Sequence, residues 1–187
     1  GSIEAIPVVK YSEFHKIQIL LIAKHFRLED EARFVKESNM NIRLARREDA
    51  HYFVEFNQAM AFETEGKTLD QALVNAAVIA VFDDPDKGFY VVDEDGDDIV
   101  GGLMVTYEWS DWRNAWWWWI QSVFVRREAR GNRVYSQLND FVKASAKAAG
   151  NVYGIRLYVE IENVHAQRVY ENVGMEKSNY IMYHEML

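Results

Sequence analysis

Two short stretches bring together residue types that chemistry can use. In "VRREARGNRVYSQL" (125–138), Arg126, Arg127, Arg130 and Arg133 crowd the junction between an apolar strand and the first turns of a helix, although the chain's formal net charge is −8. A helix starting there leaves backbone N–H groups without intrahelical partners, and its dipole adds partial positive charge, so such an end binds anions. Gly131 permits close backbone approach, and Arg130 and Arg133 add full charges that would attract a diphosphate. The competing reading is a solvated basic turn with a glycine for geometry. In "NVHAQRVYENVGM" (163–175), Asn163, Ala166, Tyr170 and Gly174 keep the spacing N-x-x-A-x-x-x-Y-x-x-x-G. Seven residues separate Asn163 from Tyr170, which sets them two helical turns apart on one face. Asn163 also suits a helix N-cap, and Tyr170 could equally be an amphipathic packing residue.

These residues need a frame to position them. After "NIRLARREDA", read as a short strand (Ile42, Leu44) and a helix start, "EDAHYFVEFNQAMAFETEG" carries Ala50, Phe53, Val54, Phe56 and Met60 on one face and ends near Gly66. A second helix, "TLDQALVNAAVIAVFDD", is stopped by Pro85. "GFYVVDEDGDDIVGGLMVTYEW" predicts two antiparallel strands around the tight turn at Asp95-Gly96. "WWWWIQSVFV" (116–125) is apolar on both faces, as a central strand covered by helices should be. A helix over about 132–148, a strand "YGIRLYVE", the helix of Tyr170 and a last strand "YIMYHEM" complete a mixed α/β chain. Gly1-Ser2 reads as a cloning scar and residues 3–39 as a helical extension ahead of a domain spanning 40–187, with Met40 a candidate initiator.

With 187 residues and 49% hydrophobic content, one globular domain with a real core is expected. No apolar run is long enough to span a membrane and no signal-peptide order opens the chain, which points away from membranes. Zero cysteines exclude disulfides, thiolate metal sites and a cysteine nucleophile, and make the cytoplasm the default location. Twenty-nine acidic against 21 basic residues argue against nucleic acid as a partner and suit a cationic small substrate. The five histidines lack ligand spacing, so no metal is expected.

Over residues 40–187 the strand order, the hairpin and the two motifs together resemble the GNAT superfamily of N-acetyltransferases. The resemblance implies a mixed, mostly antiparallel sheet with helices on both faces and a parallel, splayed pair of central strands. It implies acetyl-CoA as co-substrate, its diphosphate on the backbone amides of Gly131, Asn132, Arg133, Val134, Tyr135 and Ser136 with Arg130 beside them. Val123 would offer the backbone N–H that bonds the thioester carbonyl, Val125 would run along the pantetheine, Asn163 would touch the cofactor, and Tyr170 would protonate the departing thiolate. The chain departs from the family pattern at Arg133 and Tyr135, where the family has glycines. That departure motivates the rival reading of a non-catalytic acyl-CoA-binding or regulatory domain.

The acceptor would be a small-molecule or peptide amine attacking the thioester directly. Glu108 after the hairpin strand, Glu160 at the end of the fifth strand, and Glu63 in "FETEG" are candidate bases, each with a solvated surface carboxylate as its plain alternative. "TYEWSDWRN" is similar to a stretch of polyamine acetyltransferases, but those place acids inside the following strand, where this chain has Gln121 and Ser122. Polyamines are therefore disfavoured. Trp116 to Trp119 alternate in direction; packing in the core or in a homodimer is the main expectation, an aromatic wall for a cationic acceptor the second.

Overall fold

A computed structural model of the chain describes residues 40–187; the helices expected within residues 3–39 lie outside the described residues. The elements run β1 (Met40–Leu44), a 3-10 turn (Arg47–Asp49), α1 (Ala50–Glu65), α2 (Gln71–Asp83), β2 (Phe89–Asp95), β3 (Asp98–Ser110), β4 (Ala115–Val125), a 3-10 turn (Arg127–Ala129), α3 (Val134–Ala149), β5 (Val152–Arg156) and α4 (Val164–Asn172). The five strands form one sheet in sequence order. Every neighbouring pair is antiparallel except β4 and β5, which are parallel.

Local chemistry sets the boundaries. The N–H of Gly66, in the left-handed region at φ 64°, closes α1 on the carbonyl of Phe62 at 3.0 Å. Asp70 caps α2 by accepting from the Leu73 N–H at 2.8 Å. Gly96, at φ 65°, turns β2 into β3 as the Asp-Gly dipeptide predicts.

The sheet carries a core on each face. Against α3 lie Val91, Leu103, Trp118 and Ile120, packed with Val134, Leu138 and Val142. Against α1 and α2 lie Tyr90, Val92 and Ile99, packed with Phe53, Phe56 and Val78; Phe53 stacks on Tyr90 with ring centroids 4.0 Å apart. Helices on both faces of a mixed sheet are the architecture expected from the sequence.

Among the described residues, 40–157 form one compact unit, and Tyr158–Leu187 form a second that contains α4. Three expectations need correction. The last strand, "YIMYHEM", is not formed: residues 180–187 have no regular structure and are exposed, since an extended segment without a hydrogen-bonded neighbour gains nothing from being a strand. β5 therefore stands at the end of the described sheet rather than inside it, and it stops at Arg156, which puts Glu160 in the irregular stretch beyond. Glu108 lies within β3, not after it, because the hairpin strand runs on to Ser110.

Candidate active site

β4 delivers the chain to the basic junction, and its course is broken once. Before Ser122, Trp116, Trp118 and Ile120 face α3; after it, Val123 and Val125 do, while Phe124 stacks on Phe56 of α1 at 4.9 Å. The register shows why. Gly102 pairs with Phe124 and Met104 with Gln121, so Ser122 and Val123 both stand against the single residue Leu103. This bulge, with Ser122 at φ 50°, inserts one residue and swaps the faces of everything that follows. On the other edge, parallel pairing with β5 ends at Trp119 and Arg156, and β4 runs on for residues 120–125 without β5 beside it. Val123 and Val125 thus lie on the stretch of β4 beyond the fork.

The loop after β4 takes two left-handed steps, Gly131 at φ 84° and Arg133 at φ 63°, before α3 begins. Arg133 is the position at which the family pattern has glycine. The backbone keeps the conformation glycine would adopt even though the side chain is long. The first α3 bond from outside the helix is Gln137 N–H to the Arg133 carbonyl at 3.1 Å. The N–H groups of Gly131, Arg133, Val134 and Ser136 meet no backbone acceptor among the described residues, and Asn132 N–H makes only a long 3.4 Å contact to Ala129. N–H groups left free by such conformations can form an anion-binding concavity, and the diphosphate expected here would rest on them. Tyr135 and Val134 are buried, so their side chains anchor the turn and only their backbone faces the site.

The four arginines are not equivalent. Arg130 donates from Nε to the Val125 carbonyl at 2.9 Å and from Nη2 to Glu63 at 2.8 Å, and Arg127 reaches the same Glu63 at 3.1 Å. Arg126 pairs with Glu55 at 3.3 Å and Asp98 at 3.6 Å. Arg133 is exposed and makes no ion pair with a described residue, which leaves its charge available to a ligand. The junction is basic largely because three arginines fasten α1 and the β2–β3 hairpin to it.

Glu63 is consequently a poor proton acceptor: the Arg130 hydrogen bond, aided by Arg127 against some desolvation, holds its carboxyl below the usual range. Glu108 accepts from Trp119 Nε1 at 2.5 Å and from Arg156 at 3.0 Å. Arg156 in turn lies 3.6 Å above the Trp117 ring. The tryptophan run accordingly divides: Trp116 and Trp118 are buried against α3, and Trp117 and Trp119 form an aromatic and arginine layer on the opposite face.

In the second unit, the Asn163 side chain accepts from Ala166 N–H at 3.0 Å and caps α4. Gly174, at φ 84°, ends the helix, where Met175 N–H bonds the Tyr170 carbonyl at 3.0 Å. Asn163 and Tyr170 stand on one face as their spacing requires, and burial raises the Tyr170 phenol above its ordinary pKa. Glu160 is exposed; its carbonyl accepts from Asn163 N–H at 3.0 Å.

The sequence reading missed a cavity of about 260 Å³ whose lining includes Asn57, Leu69, Val74, Tyr90, Met104 and Ser122. Ser122, a lone hydroxyl in an apolar strand, was the available signal. Among the described residues no helix is long and apolar enough to cross a membrane, and no cluster of three metal-ligating side chains occurs.

A forked mixed sheet whose broken fourth strand feeds a glycine-containing loop and helix is the architecture that comparison with solved structures places among acetyltransferases. The chain belongs to the acetyltransferase (GNAT) family, whose model matches residues 45–175. A crystal structure described as a possible acetyltransferase from Clostridium difficile 630 is 40% identical, covers 80% of this chain and 99% of its own, and superposes with a TM-score of 0.75. The integron cassette protein HFX_CASS3, from the mobile metagenome of Cole Harbour Salt Marsh, shares the fold at 22% identity and a TM-score of 0.69, covering 78% of this chain and 90% of its own. The aminoglycoside N-acetyltransferase AAC(6')-Iy, bound to the bisubstrate analogue CoA-S-monomethyl-acetylneamine, shares it at 16% identity and a TM-score of 0.64, with 80% and 99% coverage. No curated protein matches the chain significantly.

Proposed function

We propose that the protein is an acetyl-CoA-dependent N-acetyltransferase in which a primary amine attacks the thioester directly. The observation that carries this reading is the left-handed pair Gly131 and Arg133, beside which the N–H groups of Gly131, Arg133, Val134 and Ser136 meet no backbone acceptor among the described residues, although Arg133 stands where the family pattern has glycine. Those amides would bind the diphosphate, with the exposed Arg133 guanidinium adding charge and Arg130 holding the loop to Val125. The pantetheine would follow β4 beyond the fork, past Val125. The thioester carbonyl would receive the N–H of Val123 at the bulge, where a preorganised donor stabilises the oxyanion of the tetrahedral intermediate. A neutral amine forms the C–N bond, the intermediate collapses, and the C–S bond breaks. Tyr170 would hand its phenolic proton to the leaving thiolate, and the proton shed by the amine would pass to solvent or to Glu108 or Glu160. The AAC(6')-Iy complexes, one with CoA and one with a CoA bisubstrate analogue, support acyl-CoA use by this fold.

Release of free CoA from acetyl-CoA in the presence of an amine panel tests the reaction. Tyr170→Phe keeps the ring and removes the proton. Turnover should fall on the order of 10²-fold with acetyl-CoA affinity nearly unchanged. Wild-type turnover in this variant, with chemistry shown to be rate-limiting, would return Tyr170 to a packing role. Tight acetyl-CoA binding without CoA release on any amine would make the protein a binding domain instead.

A further inference from the structure

Resting on that transferase reading, we propose that the acceptor is a small, mainly apolar monoamine held in the cavity beneath the β4 bulge. The cavity, about 260 Å³, lies between α1, α2 and the sheet, and Ser122 in its wall is one peptide bond from Val123. Its wall is thus adjacent in sequence to the N–H assigned to the thioester. A larger open groove of about 710 Å³ runs between α1 and α2 but touches no residue of β4.

The lining selects its ligand by chemistry. Leu69, Val74, Ala77, Val78, Val81 and Met104 make the walls apolar, and none of the lining residues is a carboxylate or a cation. The polar groups are Asn57, Tyr90 and Ser122. Tyr90 is 5% exposed as a residue and stands in the cavity wall, its ring stacked on Phe53. A hydroxyl in the wall lets an amine that leaves water on entering the cavity keep a hydrogen bond. Burial also pushes the Tyr90 phenol up to about 12, so at neutral pH it is uncharged, and its oxygen can accept from an amine N–H while the nitrogen lone pair stays free to attack. A polycation would have to shed the hydration of several charges with no counter-charge to receive them, whereas a monoamine can enter neutral. The volume is smaller than the pockets of about 300–1,000 Å³ that hold drug-sized ligands.

Two measurements decide the matter. CoA release should be at least tenfold faster in kcat/KM with n-butylamine or benzylamine than with spermidine or an aminoglycoside. Ala77, exposed on α2 at the cavity, is replaced by Trp to obstruct it without disturbing the core. In Ala77→Trp, KM for benzylamine should rise about tenfold while the acetyl-CoA Kd stays the same. Equal or faster turnover of the polycations, untouched by Ala77→Trp, would overturn the acceptor assignment and leave the transferase standing. Benzylamine added without acetyl-CoA should raise the Tm of the wild type and not of the variant. No shift, or the same shift in both, would overturn the cavity assignment even if no amine is turned over, an outcome that by itself sinks the transferase reading.

Discussion

Arg133 concentrates what a single residue contributes to this protein. Its φ of 63° places a side chain in the region that L-residues enter at about 1–2 kcal/mol. The same residue offers the one guanidinium of the junction that makes no ion pair with a described residue. Arg133→Gly should relieve the strain, while glycine's larger unfolded-state entropy takes back about 0.5–1 kcal/mol, for a net gain of roughly 0.5 kcal/mol. Denaturant unfolding should show that gain, and acetyl-CoA affinity should fall and lose part of its salt dependence. A variant both less stable and unchanged in affinity would remove Arg133 from both roles. Its neighbour Arg130 shows how identity of residue type misleads, since Glu63 neutralises its charge and the Val125 carbonyl fixes its Nε.

At the scale of elements, the sheet depends on how closely strands and turns approach one another. Gly88 opens β2 at φ 134°, and a Cβ there would lie 2.0 Å from the carbonyl oxygen of Val105 on β3. Backbone stands on both sides of that contact, so no side chain can move to relieve it. Gly88→Ala should cost about 3 kcal/mol, read from the midpoint of denaturant unfolding; a loss below about 1 kcal/mol would show that β2 and β3 can shift apart there. The bulge at Ser122 is the other element-level device. It turns Val123 and Val125 toward α3, while Ser122 lines the cavity between the sheet, α1 and α2, so one inserted residue would separate the proposed cofactor strand from the proposed acceptor space.

For the whole molecule, Asp93 links stability to pH. It lies on β2 between Ile42 of β1 and Gly101 of β3, is fully buried, and neither carboxylate oxygen has a hydrogen-bond partner. Burial first, and Asp95 second, push its pKa up to about 6. The folded protein therefore holds this proton more tightly than the unfolded chain, in which an aspartate titrates near about 3.9. The sign follows: this contribution is fully present below about pH 4 and is lost as pH rises through about 6, amounting to roughly 2–3 kcal/mol. Asp93→Asn keeps the shape and cannot ionise. It should be about 2 kcal/mol more stable than the parent at pH 8, with the two converging near pH 4. Parallel stability curves across that range would show that Asp93 does not titrate there.

Much of this was legible in the sequence, for physical reasons that differ by feature. Periodicity and caps announced α1, α2 and α3, the Asp-Gly turn announced the β2–β3 hairpin, and the N-x-x-A-x-x-x-Y-x-x-x-G spacing set Asn163 and Tyr170 on one face of α4, because each depends on neighbours within a few residues. β4 hid its most useful property. A strand apolar on both sides carries no phase, so the switch of faces at Ser122 left no trace in hydrophobicity. The last strand was expected from residues 180–186 alone, whereas a strand exists only when a partner accepts its hydrogen bonds. The ion pairs joining Arg127 and Arg130 to Glu63 span more than sixty positions, and the cavity walls come from α1, α2, β2, β3 and β4 together. Local chemistry thus determined the elements and the glycine-containing turn before α3, and only tertiary packing decided which charges remained available and formed the cavity proposed for the acceptor.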